Sequence, residues 1–286
     1  MPELPEIHAL VADLGARLTG RTLDRLDLVS FAALKTFDPP ASALSGQVIG
    51  DVTRHGKFLD IAIGELHLIM HLARAGWIRW REGPPIQFGR SGKGPLAARL
   101  VLDDGSGLDI TEAGTKKSLA ISVVAEPSEV PGIARLGPDP LAADFTKPAF
   151  IAILAAAGRA QIKGVLRDQS IIAGIGNAYS DEILHQAGMS PFKPAAMSPE
   201  EACRLYDAMR ETLAGAIARA DGLSASELKR EKKSGLKVHG RAGEACPVCG
   251  DTVRQVIFTD STLQYCPTCQ TGGKLLADRV LSRLLK

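Results

Sequence analysis

Apolar and polar positions alternate with two different periods along this chain, and the change of period divides it. Residues 7–18 carry a helical pattern that ends at Gly20. After it come short apolar runs of strand length at 48–52, 58–63, 67–71, 77–80, 98–102 and 119–124, separated by Gly and Asp-Gly turns. Run 58–63 has the alternation of a half-buried strand. Two stacked sheets are the natural closure for so many short strands. Residues 127–148 hold five prolines and two glycines and read as a linker. Beyond it the period is helical, at 150–157, 178–187 and 199–220. Between the first two helices lies a tight segment, 161–177, containing Gly164, Gly174 and Gly176. Residues 221–241 are polar and Lys-rich. A cysteine-rich module follows, then a short amphipathic tail over 274–285. The pattern predicts an α+β chain: a β-sandwich over 2–126, a linker over 127–147, a helical domain over 148–235, and the cysteine module with its tail over 236–286.

Composition narrows the class. At 286 residues the chain is long for one domain, and 45% hydrophobic with 23% charged residues excludes a disordered or collagen-like chain. The longest apolar runs, such as 149–158, fall far short of a membrane span. The acidic, proline-bearing start Met1-Pro2-Glu3-Leu4-Pro5-Glu6 is not a signal peptide. A soluble cytoplasmic protein without a membrane partner is expected. Net charge is only +2, but from residue 221 onward eleven Lys and Arg face seven Asp and Glu. That basic end suits a polyanionic partner.

Four of the five cysteines fall in the last 41 residues. Cys246-Pro247-Val248-Cys249 and Cys266-Pro267-Thr268-Cys269 are two pairs separated by sixteen residues. Each pair forms a knuckle that presents two thiolates, and four thiolates give Zn²⁺ a closed tetrahedral site. Gly250 follows the first knuckle, where a positive φ is often needed. Residues 252–264 read as a β-hairpin with residues 259–262 near its tip. A redox dithiol is the competing reading. The expected cofactor is one structural zinc held by Cys246, Cys249, Cys266 and Cys269, with Cys203 apart.

The N-terminus has its own chemistry. Taken alone, Met1–Glu6 reads as a solvated helix start. Removal of Met1, common before a small residue, leaves Pro2 with a secondary α-amine. An α-amine has a pKa near 8, about two units below Lys, so far more of it is neutral and nucleophilic at pH 7. Such an amine attacks an aldehyde-level carbon and forms a cationic Schiff base. Glu3, adjacent, has the chemistry of an acid or base.

With these residues in view, the chain resembles the formamidopyrimidine-DNA glycosylase and endonuclease VIII family of bifunctional DNA glycosylases. Four features in the right order carry the resemblance over nearly the whole chain: Met1–Glu6; Arg54-His55-Gly56-Lys57; Gln161-Ile162-Lys163 through Gly174-Ile175-Gly176-Asn177-Ala178-Tyr179; and the four cysteines. Gly137-Pro138-Asp139-Pro140-Leu141 resembles the family's interdomain junction. The resemblance implies a helix–two-turn–helix motif and a zinc-finger hairpin in the C-terminal part, with DNA in a basic cleft. It implies Pro2 as nucleophile at C1′, Glu3 as general acid, Glu6 as a supporting carboxylate and Lys57 as a second essential amine. It also implies phosphate contacts at Lys163 and Asn177. On the residues alone, Lys57 also reads as a snorkelling lysine on a half-buried strand, Asn177 as a helix cap, and Tyr179 as packing.

The chain departs from the family's pattern in four places. Ser261 stands where the zinc-finger hairpin normally presents an arginine, which puts δ-elimination in doubt. Arg74 replaces an apolar wedge after His71-Leu72 and can bond an orphaned base or a backbone phosphate. Thr115-Lys116-Lys117 stands in place of an Arg-Phe pair, and Lys116 and Lys117 can still meet phosphates. Residues 224–239 are short for a lesion-capping loop, which would open the pocket to varied lesions or to single-stranded DNA. The expected function is a DNA repair glycosylase with AP-lyase activity on oxidised or ring-opened bases. Its expected partner is damaged or abasic double-stranded DNA, or single-stranded DNA, bound by a monomer in the cytoplasm or nucleoid. A damaged- or abasic-DNA-binding protein with lyase activity but little base excision is the alternative. A zinc-ribbon accessory protein would leave the N-terminal motif unexplained.

Overall fold

The computed structural model describes residues 1–84, 95–259 and 261–276. The chain forms two compact units. The first contains Met1–Leu136 together with Ala220–Lys229, and the second contains Gly137–Arg219 and the chain from Arg230 onward.

The first unit opens with α1 (Leu4–Leu18), followed by strands β1 (Leu23–Leu28), β2 (Ile49–His55), β3 (Phe58–Ile63), β4 (Leu66–His71), β5 (Gly76–Arg81), β6 (Leu96–Leu102), β7 (Gly107–Glu112) and β8 (Ala120–Val124). They make two four-stranded sheets, ordered β1-β6-β7-β5 and β2-β3-β4-β8, whose paired strands are all antiparallel. One core serves both sheets and the helix. Leu59, Ile61 and Ile63 of β3 meet Leu100, Leu108 and Ile110 of the other sheet and Ile7, Leu10, Leu14 and Leu18 of α1. This is the expected sandwich.

Two strands were not legible as periodic runs. In β1 a register shift between Leu23 and Arg25 breaks the alternation of its leucines. In β7 only Leu108 and Ile110 mark the inner face. The predicted half-buried β3 is buried on most of its length, because its outer face is also covered. There Asp60 lies between His55 (2.9 Å) and His67 (2.7 Å). Burial works to raise the Asp60 carboxyl, but the bonds from the two histidines outweigh it and hold it below the usual range.

The unit boundaries differ from those the prolines suggest. Residues 127–136, including α2 (Pro131–Ala134), stay with the first unit, where Val130 and Ile133 pack on Phe58, Ile69 and Val124. Residues 220–229 return to it as well: Ala220, Ala225 and Leu228 enter the first core, and Trp77 Nε1 donates to the Ala225 carbonyl at 2.9 Å. Those few apolar side chains decide the placement within an otherwise polar stretch.

The second unit contains α3 (Lys147–Ala157), α4 (Ile162–Arg167), α5 (Asn177–Gln186), α6 (Pro199–Ala220), α7 (Leu228–Gly235), the hairpin β9 (Arg254–Ile257) and β10 (Thr262–Tyr265), and α8 (Pro267–Thr271). Each of α6 and α7 has one end in the first unit. The second core is built around Phe150, Ile162, Leu166, Tyr179, Ile183, Leu205 and Met209. Tyr179 is buried, so it packs as expected. Helix α4 lies within the segment read only as tight; at six residues it is too short to show a period. Helix α7 is the Lys-rich stretch read as polar. Beyond residue 276 the expected tail lies outside the described residues, as does Asp260 of the hairpin tip. Among the described residues no helix is long and apolar enough to cross a membrane.

Candidate active site and four-cysteine centre

The chain start is fixed by its own side chains. Glu3 is the N-cap of α1, and Glu3 and Glu6 form a reciprocal capping box in which the Glu3 N–H donates to Glu6 Oε2 at 2.8 Å. Pro5, at the second helical position, needs no hydrogen-bond acceptor there. Pro2, Glu3 and Glu6 are all buried, while Met1 is exposed. The Met1–Pro2 peptide makes the Pro2 nitrogen an amide, so removal of Met1 is what creates the amine. This chain start is therefore not a solvated helix end. Two carboxylates are held out of water next to a buried proline in the chain.

Lys57 occupies the two-residue turn between His55 and Phe58, the last and first paired residues of β2 and β3. It is buried, not a lysine whose head lies in solvent. Its neighbour is His71, at the end of β4, whose ring lies 4.7 Å from that of Phe58. Burial first, and then the Lys57 charge, push the His71 imidazole down to about 4, so it is neutral at pH 7. Sequence reasoning misses His71; a histidine at a strand end next to a lysine turn is its only signal.

Arg74 is exposed in the turn that joins β4 to β5. The Gly76 N–H donates to the Leu72 carbonyl at 2.8 Å, closing the turn. A Cβ on Gly76 would come within 2.1 Å of that oxygen, so only glycine fits. Ala73 has φ +49°, a left-handed conformation uncommon for alanine. Lys116 is exposed on the loop after β7. Lys117, by contrast, turns back to donate to the Glu112 carbonyl at 2.5 Å. The buried Glu112 carboxylate accepts the N–H groups of Ser118 (2.7 Å) and Leu119 (2.9 Å) and anchors this loop.

In the second unit the two expected phosphate contacts point inward. Lys163 is buried, and its Nζ donates to Asp181 Oδ1 (2.6 Å), Ser180 Oγ (2.7 Å) and the Asn177 carbonyl (3.1 Å). All three of its protons have acceptors, so Lys163 braces the first turn of α5. Asn177 is not the cap of that helix; Gly176 is. The Asn177 side chain donates to the Thr262 carbonyl of β10 at 2.7 Å and so ties α5 to the hairpin. Asp181 gathers Lys163, His239 Nδ1 (2.7 Å) and the Gln264 N–H (3.1 Å). Glu182 accepts three successive backbone N–H groups, from Lys237, Val238 and His239. Gln169 zips the turn before α5, bonding the Arg167 and Ile175 carbonyls and the Gly174 N–H. None of these polar residues carries a periodic signal.

The four cysteines converge. The Sγ atoms of Cys246, Cys249, Cys266 and Cys269 all lie within 4.8 Å of one another, with Cys246–Cys269 at 3.9 Å and Cys249–Cys266 at 3.3 Å. Edges of about 3.8 Å are what four thiolates about 2.3 Å from one zinc require. Gly250 has the expected positive φ, +79°. Cys203, on α6, lies outside the cluster. His185 Nε2 stands 3.3 Å from Cys246 Sγ, the place of an outer-sphere partner. The cluster can hold one metal ion, and four soft sulfurs fit zinc. Ser261 closes the hairpin turn, its carbonyl accepting the Phe258 N–H at 2.8 Å.

Residues 1–114 match the formamidopyrimidine-DNA glycosylase N-terminal domain, and residues 136–227 match the formamidopyrimidine-DNA glycosylase H2TH domain. The formamidopyrimidine-DNA glycosylase of Thermus thermophilus is 34% identical over 283 residues, covering 96% of this chain and all of the relative. The chain belongs to the formamidopyrimidine-DNA glycosylase family. Members of that family are DNA glycosylases and AP lyases.

The crystal structure of the MutM (Fpg) protein from Thermus thermophilus superposes with a TM-score of 0.79, over 96% of this chain and 100% of that one. A Lactococcus lactis Fpg solved with DNA containing an abasic site is 26% identical and gives a TM-score of 0.82, over 94% and 99%. An uncharacterized formamidopyrimidine-DNA glycosylase-like protein of Mycobacterium tuberculosis is 55% identical over 152 residues, 53% of this chain and 94% of that protein.

Proposed function

We infer that this chain excises oxidised or ring-opened bases from DNA and cleaves the resulting abasic site. The observation that carries this reading is the capping box that buries Pro2, Glu3 and Glu6 at the head of α1. Once Met1 is removed, the Pro2 amine attacks C1′ of a nucleotide turned out of the duplex. The base departs with the C1′–N bond electrons, and Glu3 protonates the opening sugar oxygen. The amine loses its proton as the iminium forms. That cation acidifies C2′; loss of a C2′ proton expels the 3′ phosphate and breaks the strand. Lys57, backed by the neutral His71, serves the lyase steps. Arg74 and Lys116 meet the DNA. Lys163 and Asn177 act from below, by fixing the turn before α5. Cys246, Cys249, Cys266 and Cys269 would hold one zinc, which would offset part of the thiolate charge and fold the hairpin. The enzyme acts as a monomer in the cytoplasm or nucleoid.

A second reading has one observation in its favour. Ser261 closes the hairpin tip, and no basic side chain occurs from Phe258 to Gln264. This supports binding and β-elimination at abasic DNA with little base excision or δ-elimination. Borohydride trapping tests both readings. A covalent adduct on Pro2 with both damaged-base and abasic duplexes supports the glycosylase. An adduct with abasic DNA alone supports the second reading. No adduct with either, in protein whose Met1 is shown to be absent, overturns both.

A further inference from the structure

Both tryptophans of the chain line one cleft in the first unit, about 550 Å³ in volume, away from the chain start. It lies between the end of α1, the edge strand β5 and residues 224–229. Asp13 and Arg17 of α1 reach it. They sit ten and fourteen residues beyond Glu3, roughly 15–21 Å along the helix at about 1.5 Å per residue.

The charges in this cleft do not cancel. Asp13 is held by Arg17 (2.8 Å) and by the Ala225 N–H (3.2 Å). Glu82 accepts from Trp80 Nε1 at 2.7 Å. Arg79 and Lys229 have no carboxylate within salt-bridge distance among the described residues. Asp109, opposite Arg79 in the β5–β7 register, is already engaged by Arg99 and Arg81. Lys229 Nζ sits 4.6 Å over the Trp77 ring. Burial, and then the Arg79 charge, lower its affinity for a proton. Two mutually repelling cations on a partly desolvated surface favour a shared anion. Beside them the Arg17 guanidinium lies 5.0 Å over the half-buried Trp80 ring and presents a plane on which a base can stack.

We propose that this cleft binds undamaged single-stranded DNA as a site distinct from the catalytic amine, with Arg79 and Lys229 holding backbone phosphate and the Arg17–Trp80 pair stacking a base. Cationic grooves interleaved with aromatic platforms bind single strands in this way, without reading sequence. The proposal does not rest on the catalytic reading, because it needs neither lesion nor Schiff base.

Since both tryptophans line the cleft, intrinsic fluorescence reports its occupancy. The full chain is titrated with an oligothymidylate of about ten nucleotides. Saturable quenching is expected. Arg79→Ala and Lys229→Ala should each weaken it about tenfold and reduce the salt slope of log K by about one. Borohydride trapping on an abasic duplex should be unchanged in Arg79→Ala. Arg79 is exposed, so Arg79→Ala keeps the test intact if Lys229→Ala melts early. The proposal is overturned by absence of quenching, by full affinity in the Arg79→Ala, Lys229→Ala double variant, or by equal quenching with polyglutamate. Loss of trapping in step with quenching would also overturn it, by merging the cleft with the catalytic DNA path.

Discussion

Glu6 Oε2 accepts the Glu3 N–H at 2.8 Å, so the carboxylate three residues into α1 sets the geometry of the peptide that carries Pro2. Glu6 is a positioning residue in this arrangement. Glu6→Gln keeps an acceptor and should retain most of the stability. Glu6→Ala should cost about 1 kcal/mol, the scale of a lost cap, and should slow borohydride trapping more than it slows DNA binding. Urea unfolding and single-turnover trapping measure the two effects. Trapping at the wild-type rate in Glu6→Ala would remove Glu6 from the site.

Residue chemistry at the ends of elements was legible in the sequence; polar networks within them were not. Spacing alone exposed the cysteine knuckles; the chain start and the lysine turn stood out only through resemblance to the family. Strand β1 was hidden by a bulge, and α4 and α7 by shortness and polarity. Lys163 illustrates the deeper limit. A lysine before a glycine-rich turn looks like a phosphate ligand, because nothing local announces Asp181, eighteen residues on, as its partner. The same holds for Asn177, whose bond to Thr262 spans 85 residues. His71 became visible only through its burial and its proximity to Lys57.

The Lys163–Asp181 pair leads to an expectation unlike that for a phosphate contact. Breaking a buried, hydrogen-bonded ion pair from one side costs about 3–5 kcal/mol. Lys163→Ala should therefore lower thermal stability strongly and leave the salt slope of DNA binding unchanged per folded molecule. Replacing both partners by apolar residues should recover part of the loss. A stable Lys163→Ala protein whose salt slope falls by about one would return Lys163 to phosphate binding.

His71 gives the first unit a pH dependence. Its folded pKa of about 4 lies below the ordinary value of 6.5. Between those values the unfolded chain takes up a proton that the folded chain refuses. This contribution is therefore fully present above pH 6.5 and is lost as pH falls towards 4. From pH 7 to pH 5 it amounts to about 1.5–2 kcal/mol before any relief by solvent. His71→Gln should flatten that part of the stability profile in chemical denaturation. A wild-type slope in the variant would show that His71 protonates without cost.

Metal content tests the cysteine centre. Cys203→Ser should bind one zinc per chain as wild type does, and Cys249→Ser should lose it and unfold the β9–β10 hairpin. His185 touches Cys246 from outside the cluster. His185→Ala should weaken zinc retention against a chelator by about 10–100-fold, the usual effect of removing an outer-sphere partner. Zinc loss in Cys203→Ser would mean that the ligand set is wrong.

On the proposed function, Arg74 and Ser261 together would set how DNA is gripped. Ser261 contributes a closing carbonyl to its hairpin and no positive charge. Arg74 stands exposed on a turn made rigid by the Gly76–Leu72 bond and by Ala73 in a left-handed conformation. A cation on so stiff a turn loses little entropy on binding, so it suits a defined contact with a base left unpaired by flipping. Arg74→Ala should cost about 1–3 kcal/mol of binding, the scale of one base contact, and should flatten the preference among opposite bases. Ser261→Arg should raise abasic-site affinity and the yield of δ-elimination product. Assays of Arg74→Ala against a lesion paired with each of the four bases decide its role. Unequal losses identify a base contact; equal losses across all four leave Arg74 as a contact to the phosphate backbone.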